Sequence, residues 1–258
     1  PPRSTLFPYT TLFRSKSPIE LLTMLAEGRV KTYSFTVPEG LRQEEVAAIF
    51  TPIIPNAVAD FAKLSRDKVF LNGLGVPSLE GFLFPENYKI PKGYTVAKLL
   101  RLMIQMYHSK FNAELSEKAT ALGIDAYQTL IIASIIEKEA GGAEEFPLVS
   151  SVIHNRLRKG MPLQMDPTVI YGLHNFAGNL TRRDLMTDHP WNTYTRPGLP
   201  ATPICNPGAA ALKAAVAPAK TTYLYFVAMN NGHHTFSSTL AQHNAAVQRY
   251  QIEGQVGP

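Results

Sequence analysis

The chain has 258 residues, 45% of them apolar, which is enough for one large domain or two smaller ones and excludes a disordered chain. Its net charge is +5, but Arg3, Arg14 and Lys16 supply three of those charges with no acid among residues 1–16. The near-neutral remainder has no Lys/Arg run interleaved with aromatics, which argues against nucleic acid as a partner.

Cys205 is the only cysteine, so an intramolecular disulfide and a cysteine-rich zinc site are both excluded. No run of eighteen apolar residues is present, and no signal peptide is recognisable. Many of the twenty prolines fall between residues 147 and 218, where long ordered loops are expected to frame a groove.

Residues 1–16 repeat Thr-Leu-Phe and fit neither helix nor strand. They read as a non-native leader, resembling translated adapter sequence, and are left out of fold reasoning. On that reading the natural start, with any membrane anchor, is missing. Ser17–Glu27 then reads as an amphipathic helix stopped by Gly28. Lys31–Val37 alternates like a half-buried strand, Pro38-Glu-Gly40 turns, and Arg42–Ile53 is a second helix. This makes a small α/β module ending before about residue 75. Leu79–Tyr88 is an aromatic link. Thr95 caps a helix from Val96 to about Leu115, and Asp125 caps the next. Gly141-Gly142 ends that helix, and Phe146–Arg158 forms another. Loops follow, with short helices at Thr168–Leu173 and Gly208–Val216. Tyr223–Met229 and His234–Ser237 form a hairpin around Asn230-Asn-Gly232, and Leu240–Ile252 is the last helix. The fold class is α+β: residues 76–252 form a mostly helical domain with a small antiparallel sheet.

The most informative stretch is Ile131-Ile-Ala-Ser-Ile-Ile-Glu-Lys-Glu-Ala140. With about 100° between helical neighbours, Ile132, Ile135 and Ile136 fall within roughly 60° of Glu139. Glu137 falls roughly 160° away. A carboxyl group against apolar walls has its pKa raised and stays protonated near neutrality, as a general acid must. The alternative is a solvated helix tip at Glu137-Lys138-Glu139.

A glycosidic bond breaks when its leaving oxygen is protonated. A hydrolase needs a second carboxylate, and Asp166 in Gln164-Met-Asp-Pro-Thr168 is the candidate, unless it only organises its own turn. Gln164, Trp191, Asn192, Thr193, Tyr194 and Thr195 form a polar and aromatic cluster suited to sugars, or to satisfying a loop's own backbone. His233-His234 lacks a partner carboxylate at metal-ligand spacing, and the His-Glu-x-x-His signature is absent. No Gly-rich phosphate loop and no Gly-x-Ser-x-Gly elbow occur. Ser134 reads as packed inside its helix, and Lys138 as a surface charge.

Several ordered motifs resemble the YceG-like family of endolytic murein transglycosylases, from about residue 17 to about residue 250. They are Ala133-Ser-Ile-Ile-Glu-Lys-Glu139, Val152-Ile-His-Asn-Arg-Leu157, Leu163-Gln-Met-Asp-Pro-Thr-Val-Ile-Tyr-Gly172, Asn192-Thr-Tyr194, Gly198-Leu-Pro200, Tyr223-Leu-Tyr-Phe-Val-Ala228, and His234-Thr-Phe236 before His243-Asn244. The resemblance implies that residues 17–75 are the later part of a LysM-like module and that 76–252 are catalytic. It implies a membrane anchor outside this chain and a site of action in the periplasm or extracytoplasmic space. It implies internal cleavage of nascent peptidoglycan strands to 1,6-anhydro-N-acetylmuramic acid ends, without metal or cofactor, beside peptidoglycan synthases of the penicillin-binding class. Glu139 is the implied catalytic residue, and Gln164, Asp166, Thr168, Asn192 and Tyr194 are the candidates for holding the strand. Three rivals stay open: a glycan-binding scaffold without catalysis, a muramidase using Glu139 with Asp166, and a pyridoxal-phosphate lyase. The last needs a buried Schiff-base lysine and a phosphate cradle, and the sequence signals neither.

Overall fold

The computed structural model describes residues 17–26, 31–173, 176 and 178–257. The leader expected at residues 1–16 lies outside them. The front segment folds as α1 (Pro18–Ala26), β1 (Thr32–Thr36), α2 (Gln43–Phe50), α3 (Ala57–Leu64), α4 (Lys68–Gly73) and β2 (Asn87–Pro91). β2 pairs antiparallel with β1, setting Thr32 opposite Pro91 and Thr36 opposite Asn87. The division expected near residue 75 therefore falls between two strands of one ladder. The aromatic link runs into β2, whose Tyr88 and Ile90 alternate inward.

α5 (Val96–Lys110) starts at Thr95, whose hydroxyl accepts the Lys98 N–H at 3.3 Å. It stops earlier than the apolar pattern suggests. Asn112 accepts the Leu115 N–H at 3.1 Å and starts α6 (Ala113–Ala121) instead, a local bond that competes with helix continuation. α7 (Ala126–Glu139) has a reciprocal cap. Asp125 accepts the Gln128 N–H at 2.7 Å, and the Gln128 side chain accepts the Asp125 N–H at 2.9 Å.

Every residue of α7 from Thr129 to Ile136 is buried. It is a central helix, apolar on all sides, packed against α8 (Phe146–Arg158), α9 (Asp166–Gly172) and α11 (Ala209–Ala215), with α10 (Arg182–Met186) lying farther out in the long loop region. β3 (Tyr225–Ala228) and β4 (His234–Ser237) form the expected hairpin, with Phe226 opposite Phe236. Its turn places Asn230 and Gly232 at positive φ, 60° and 87°. The last helix is α12 (Leu240–Val247), continued by a π-helical turn at Gln248–Ile252. The architecture is α+β, with two two-stranded antiparallel sheets among the described residues rather than one. Among the described residues no single helix is long and apolar enough to cross a membrane.

Candidate active site

α7 delivers Glu139 into a cleft of about 450 Å³. Arg156 enters it from α8, Gln164 and Asp166 from the approach to α9, and Tyr194 from the long loop. Tyr225 and Phe226 come from β3, and His243 and Asn244 from α12. Two other clefts are larger, about 840 and 900 Å³, but neither contains Glu139. Chemistry rather than size selects the smaller one.

Burial of its carboxyl pushes the Glu139 pKa up, the Asp166 charge pushes it further, and Arg156 opposes both, leaving it at about 8. Glu139 keeps partial exposure because the cleft is open, while its carboxyl is enclosed by protein atoms. Glu137, two residues earlier, points elsewhere. Its Oε2 accepts the Gly208 N–H at 3.0 Å, at the start of α11. Burial also raises this carboxyl, and the Gly208 bond works against the shift. The two glutamates of the motif thus serve opposite sides of the helix, as the wheel requires.

Opposite Glu139, the Tyr194 hydroxyl donates to Asp166 Oδ1 at 2.6 Å. Desolvation, then the Asp166 bond and charge, push the phenol well above its ordinary pKa and keep it a donor. Gln164 sits at φ 52°, a left-handed conformation that costs a non-glycine residue about 1 kcal/mol. Its N–H donates to the Thr193 carbonyl at 3.0 Å.

Arg156 holds this wall in place. It is 7% exposed, and its Nε donates to the Leu224 carbonyl at 2.6 Å. Its Nη1 donates to the Leu163 carbonyl at 2.6 Å, the Pro162 carbonyl at 3.2 Å and Gln164 Oε1 at 3.4 Å. One guanidinium thereby fixes both the approach to β3 and the loop before α9. It also lies 5.2 Å from the Tyr225 ring centre. His243 stacks on Tyr225, with ring centres 5.2 Å apart. Burial and then the Arg156 charge lower the His243 pKa, which favours neutral imidazole.

The structure brings Glu139, Gln164, Asp166 and Tyr194 together and places Thr168 and Asn192 behind the wall. Thr168 is fully buried; its hydroxyl donates to the Met165 carbonyl at 2.6 Å and meets Thr193 Oγ1 at 2.9 Å. Asn192 is also fully buried. Its Nδ2 donates to the Leu185 and Thr187 carbonyls at 3.0 and 2.7 Å, and its Oδ1 accepts the Tyr194 N–H at 2.8 Å. With their polar atoms committed to the protein, these two position Tyr194 and α9 and present nothing to the cleft. Arg156, Tyr225 and His243 are cleft residues to which no role was assigned from sequence, although all three stand inside the quoted motifs Val152-Ile-His-Asn-Arg-Leu157, Tyr223-Leu-Tyr-Phe-Val-Ala228 and His243-Asn244.

Ser134 is packed inside α7 as expected, its hydroxyl donating to the Ile131 carbonyl at 2.7 Å and accepting the Ile204 N–H at 3.0 Å. Lys138 is exposed and reaches the Gly40 carbonyl at 3.3 Å, an environment unlike that of a Schiff-base lysine. His234 does meet a carboxylate, from far away in sequence: its Nδ1 lies 2.7 Å from Glu145 Oε2. Among the described residues no group of three or more His, Cys, Asp or Glu could hold a metal ion.

The model of the YceG-like family matches residues 9–249. A relative from Bacillus subtilis (strain 168), named endolytic murein transglycosylase, is 34% identical over 90% of this chain and 68% of its own length. A relative of the same name from Streptococcus pneumoniae serotype 2 is 26% identical over 85% of this chain, which spans only 46% of that protein. The crystal structure of a yceG-like protein from Listeria monocytogenes superposes with a TM-score of 0.75 at 29% identity, covering 90% of this chain and 81% of the other. The motifs, the fold and these matches agree: the chain belongs to the YceG-like family.

Proposed function

We propose that this chain is a lytic transglycosylase of peptidoglycan, cutting strands internally between N-acetylmuramic acid and N-acetylglucosamine. The observation that carries the reading is Glu139, a carboxyl in a polar and aromatic cleft whose pKa is pushed up to about 8. Protonated at neutral pH, it donates to the glycosidic oxygen while the bond from that oxygen to C1 breaks. The N-acetylglucosamine leaves with a free 4-hydroxyl. The Glu139 carboxylate then takes the proton of the muramoyl 6-hydroxyl as that oxygen closes onto C1. The product is a 1,6-anhydro ring, no water is consumed, and Glu139 ends protonated again. Asp166 and the Tyr194 hydroxyl bonded to it face the same space and suit a sugar carrying developing positive charge and several hydroxyls.

A second reading has one observation in its favour: Asp166, an exposed carboxylate, lines the same cleft as Glu139. A muramidase would use the pair and give reducing ends. Mass spectrometry of products from uncrosslinked strands separates the two. Anhydro ends that disappear in Glu139→Gln support the transglycosylase, with an expected rate loss of about 10²- to 10⁴-fold. Reducing ends that disappear in Asp166→Asn support the hydrolase. Strands that bind but are not cut by the unsubstituted chain favour a glycan-binding scaffold.

The family resemblance further supports a LysM-like reading of the front unit, an anchor in the bacterial inner membrane outside this chain, and action in the periplasm or extracytoplasmic space beside penicillin-binding synthases. Co-purification of the full-length protein with such a synthase from membranes tests the partner.

A further inference from the structure

The mechanism above uses one side of α9, and the other side faces the cleft of about 900 Å³. Lys138, next to Glu139, and Pro167, next to Asp166, both line this second space. The two clefts thus take neighbouring residues at the end of α7 and at the start of α9. Its far wall comes from the front unit, through Arg42 at the start of α2.

Two aromatic rings line it, and each has its polar end tied to the protein. The Tyr171 hydroxyl donates to Glu80 Oε2 at 2.9 Å, and the Trp191 indole N–H donates to Thr202 Oγ1 at 2.8 Å. The rings meet edge to face, 5.4 Å apart. The Arg42 guanidinium lies 4.9 Å from the Tyr171 ring centre and donates to the Ile170 carbonyl at 3.3 Å. Glu80 is 2% exposed and also accepts the Gln43 N–H at 3.2 Å, so one buried carboxyl ties α9 to α2. With both polar ends tied and the Arg42 guanidinium over the Tyr171 ring, the two side chains form a fixed aromatic wall of this space. Arg42, Lys138 and the carboxylates of Glu44 and Glu45 rim it with donors and acceptors. Apolar faces with a few placed polar groups match a pyranose, which has an apolar C–H face and a hydroxyl edge.

We infer that this second cleft is a distal glycan subsite, in which hexosamine residues beyond the scissile linkage lie against Trp191 and are rimmed by Arg42 and Lys138. The inference rests on the proposed function, since an internal cut requires strand on both sides of the bond. It gives the front unit a direct part in holding that strand.

Trp191 is the only tryptophan of the chain, so its emission reports on this cleft alone. The experiment titrates Glu139→Gln, which holds strands without cutting them, with long uncrosslinked glycan strands and separately with the N-acetylglucosaminyl-N-acetylmuramic acid disaccharide. Calorimetry records binding in parallel. The expected result is a blue shift of Trp191 emission and at least a twofold fall in acrylamide quenching with long strands, and little change with the disaccharide. Long strands that bind without altering emission or quenching would overturn the subsite, as would an equal response to the disaccharide. If the unsubstituted chain makes anhydro ends while Trp191 stays silent, only this inference fails. If it neither binds nor cuts, the proposed function fails and the subsite with it.

Discussion

Replacing Asp166 by Asn separates charge tuning from nucleophilic chemistry at Glu139. An ordinary glutamate near 4.5 is about 0.3% protonated at pH 7, whereas one at about 8 is about 90% protonated, roughly a 300-fold gain in acid form. Burial is the largest cause and the Asp166 charge the next, with Arg156 opposing. The acid form is present below about pH 8 and is lost as pH rises through that value. The unsubstituted chain should therefore show kcat/KM for anhydro-end formation falling above about pH 8. Asp166→Asn removes the raising charge, so the alkaline fall should move to lower pH while the products stay anhydro-ended. The Tyr194 hydroxyl keeps an acceptor in the Asn side-chain oxygen, so the wall should hold. The assay is initial rate against pH by product mass spectrometry. An alkaline fall near pH 5 in the unsubstituted chain, or an unmoved fall in Asp166→Asn, would refute the electrostatic account. Complete loss of turnover in Asp166→Asn with reducing ends in the parent would refute the one-carboxylate mechanism.

Arg156→Ala should move the same alkaline fall the opposite way, because it removes the cation that lowers the Glu139 pKa. It should also cost about 3–5 kcal/mol in urea unfolding, since it strands the Leu163 and Leu224 carbonyls. Arg156→Lys should recover only part of that stability, because one ammonium lacks the fork. Gly141→Ala would set a Cβ against the Gly232 carbonyl oxygen, well inside van der Waals contact, so the hairpin must move away from the end of α7. Differential scanning calorimetry should show a loss of at least 1–3 kcal/mol. Burial works to raise the Glu145 pKa, but the His234 ring, the His234 N–H and the Gly141 N–H outweigh it and hold the carboxyl below its ordinary value. The stability from this pairing is present above the unfolded pKa and lost as pH falls through the folded one. Glu145→Gln should lower Tm at pH 7 and flatten its decline on the acid side.

Much of the fold was legible because the signals were local. The caps at Thr95 and Asp125, the span of α8 and the hairpin turn at Asn230–Gly232 each depend on residues a few positions apart. What was not legible was non-local. β2 is five residues long and takes its identity from pairing with β1, more than fifty residues earlier. The extended α5 pattern hid a boundary because Asn112 offered its own cap in the middle of a helical run. The His234–Glu145 pair joins residues that no spacing rule connects.

The site shows the same division, with burial as the deciding quantity. Residue type put Gln164, Asn192 and Tyr194 in one polar cluster, with Thr168 a further candidate, but type does not say where a polar atom finds its partner. Thr168 and Asn192 are fully buried, so their hydrogen bonds had to be made inside the protein, and the carbonyls of 185 and 187 and the Thr193 hydroxyl supply them. Gln164 and Tyr194 keep exposure, and that is what leaves them available to a strand. The two glutamates of α7 extend the argument. Both are desolvated, so apolar surroundings alone do not distinguish them. Glu137 meets the Gly208 N–H, which stabilises its anion and spends the group on capping α11. Glu139 meets a carboxylate and an opposing guanidinium across open space, and its shift comes from burial and charge alone. A rotation of about 200° between them on one helix therefore separates a structural carboxylate from one poised to hold and release a proton.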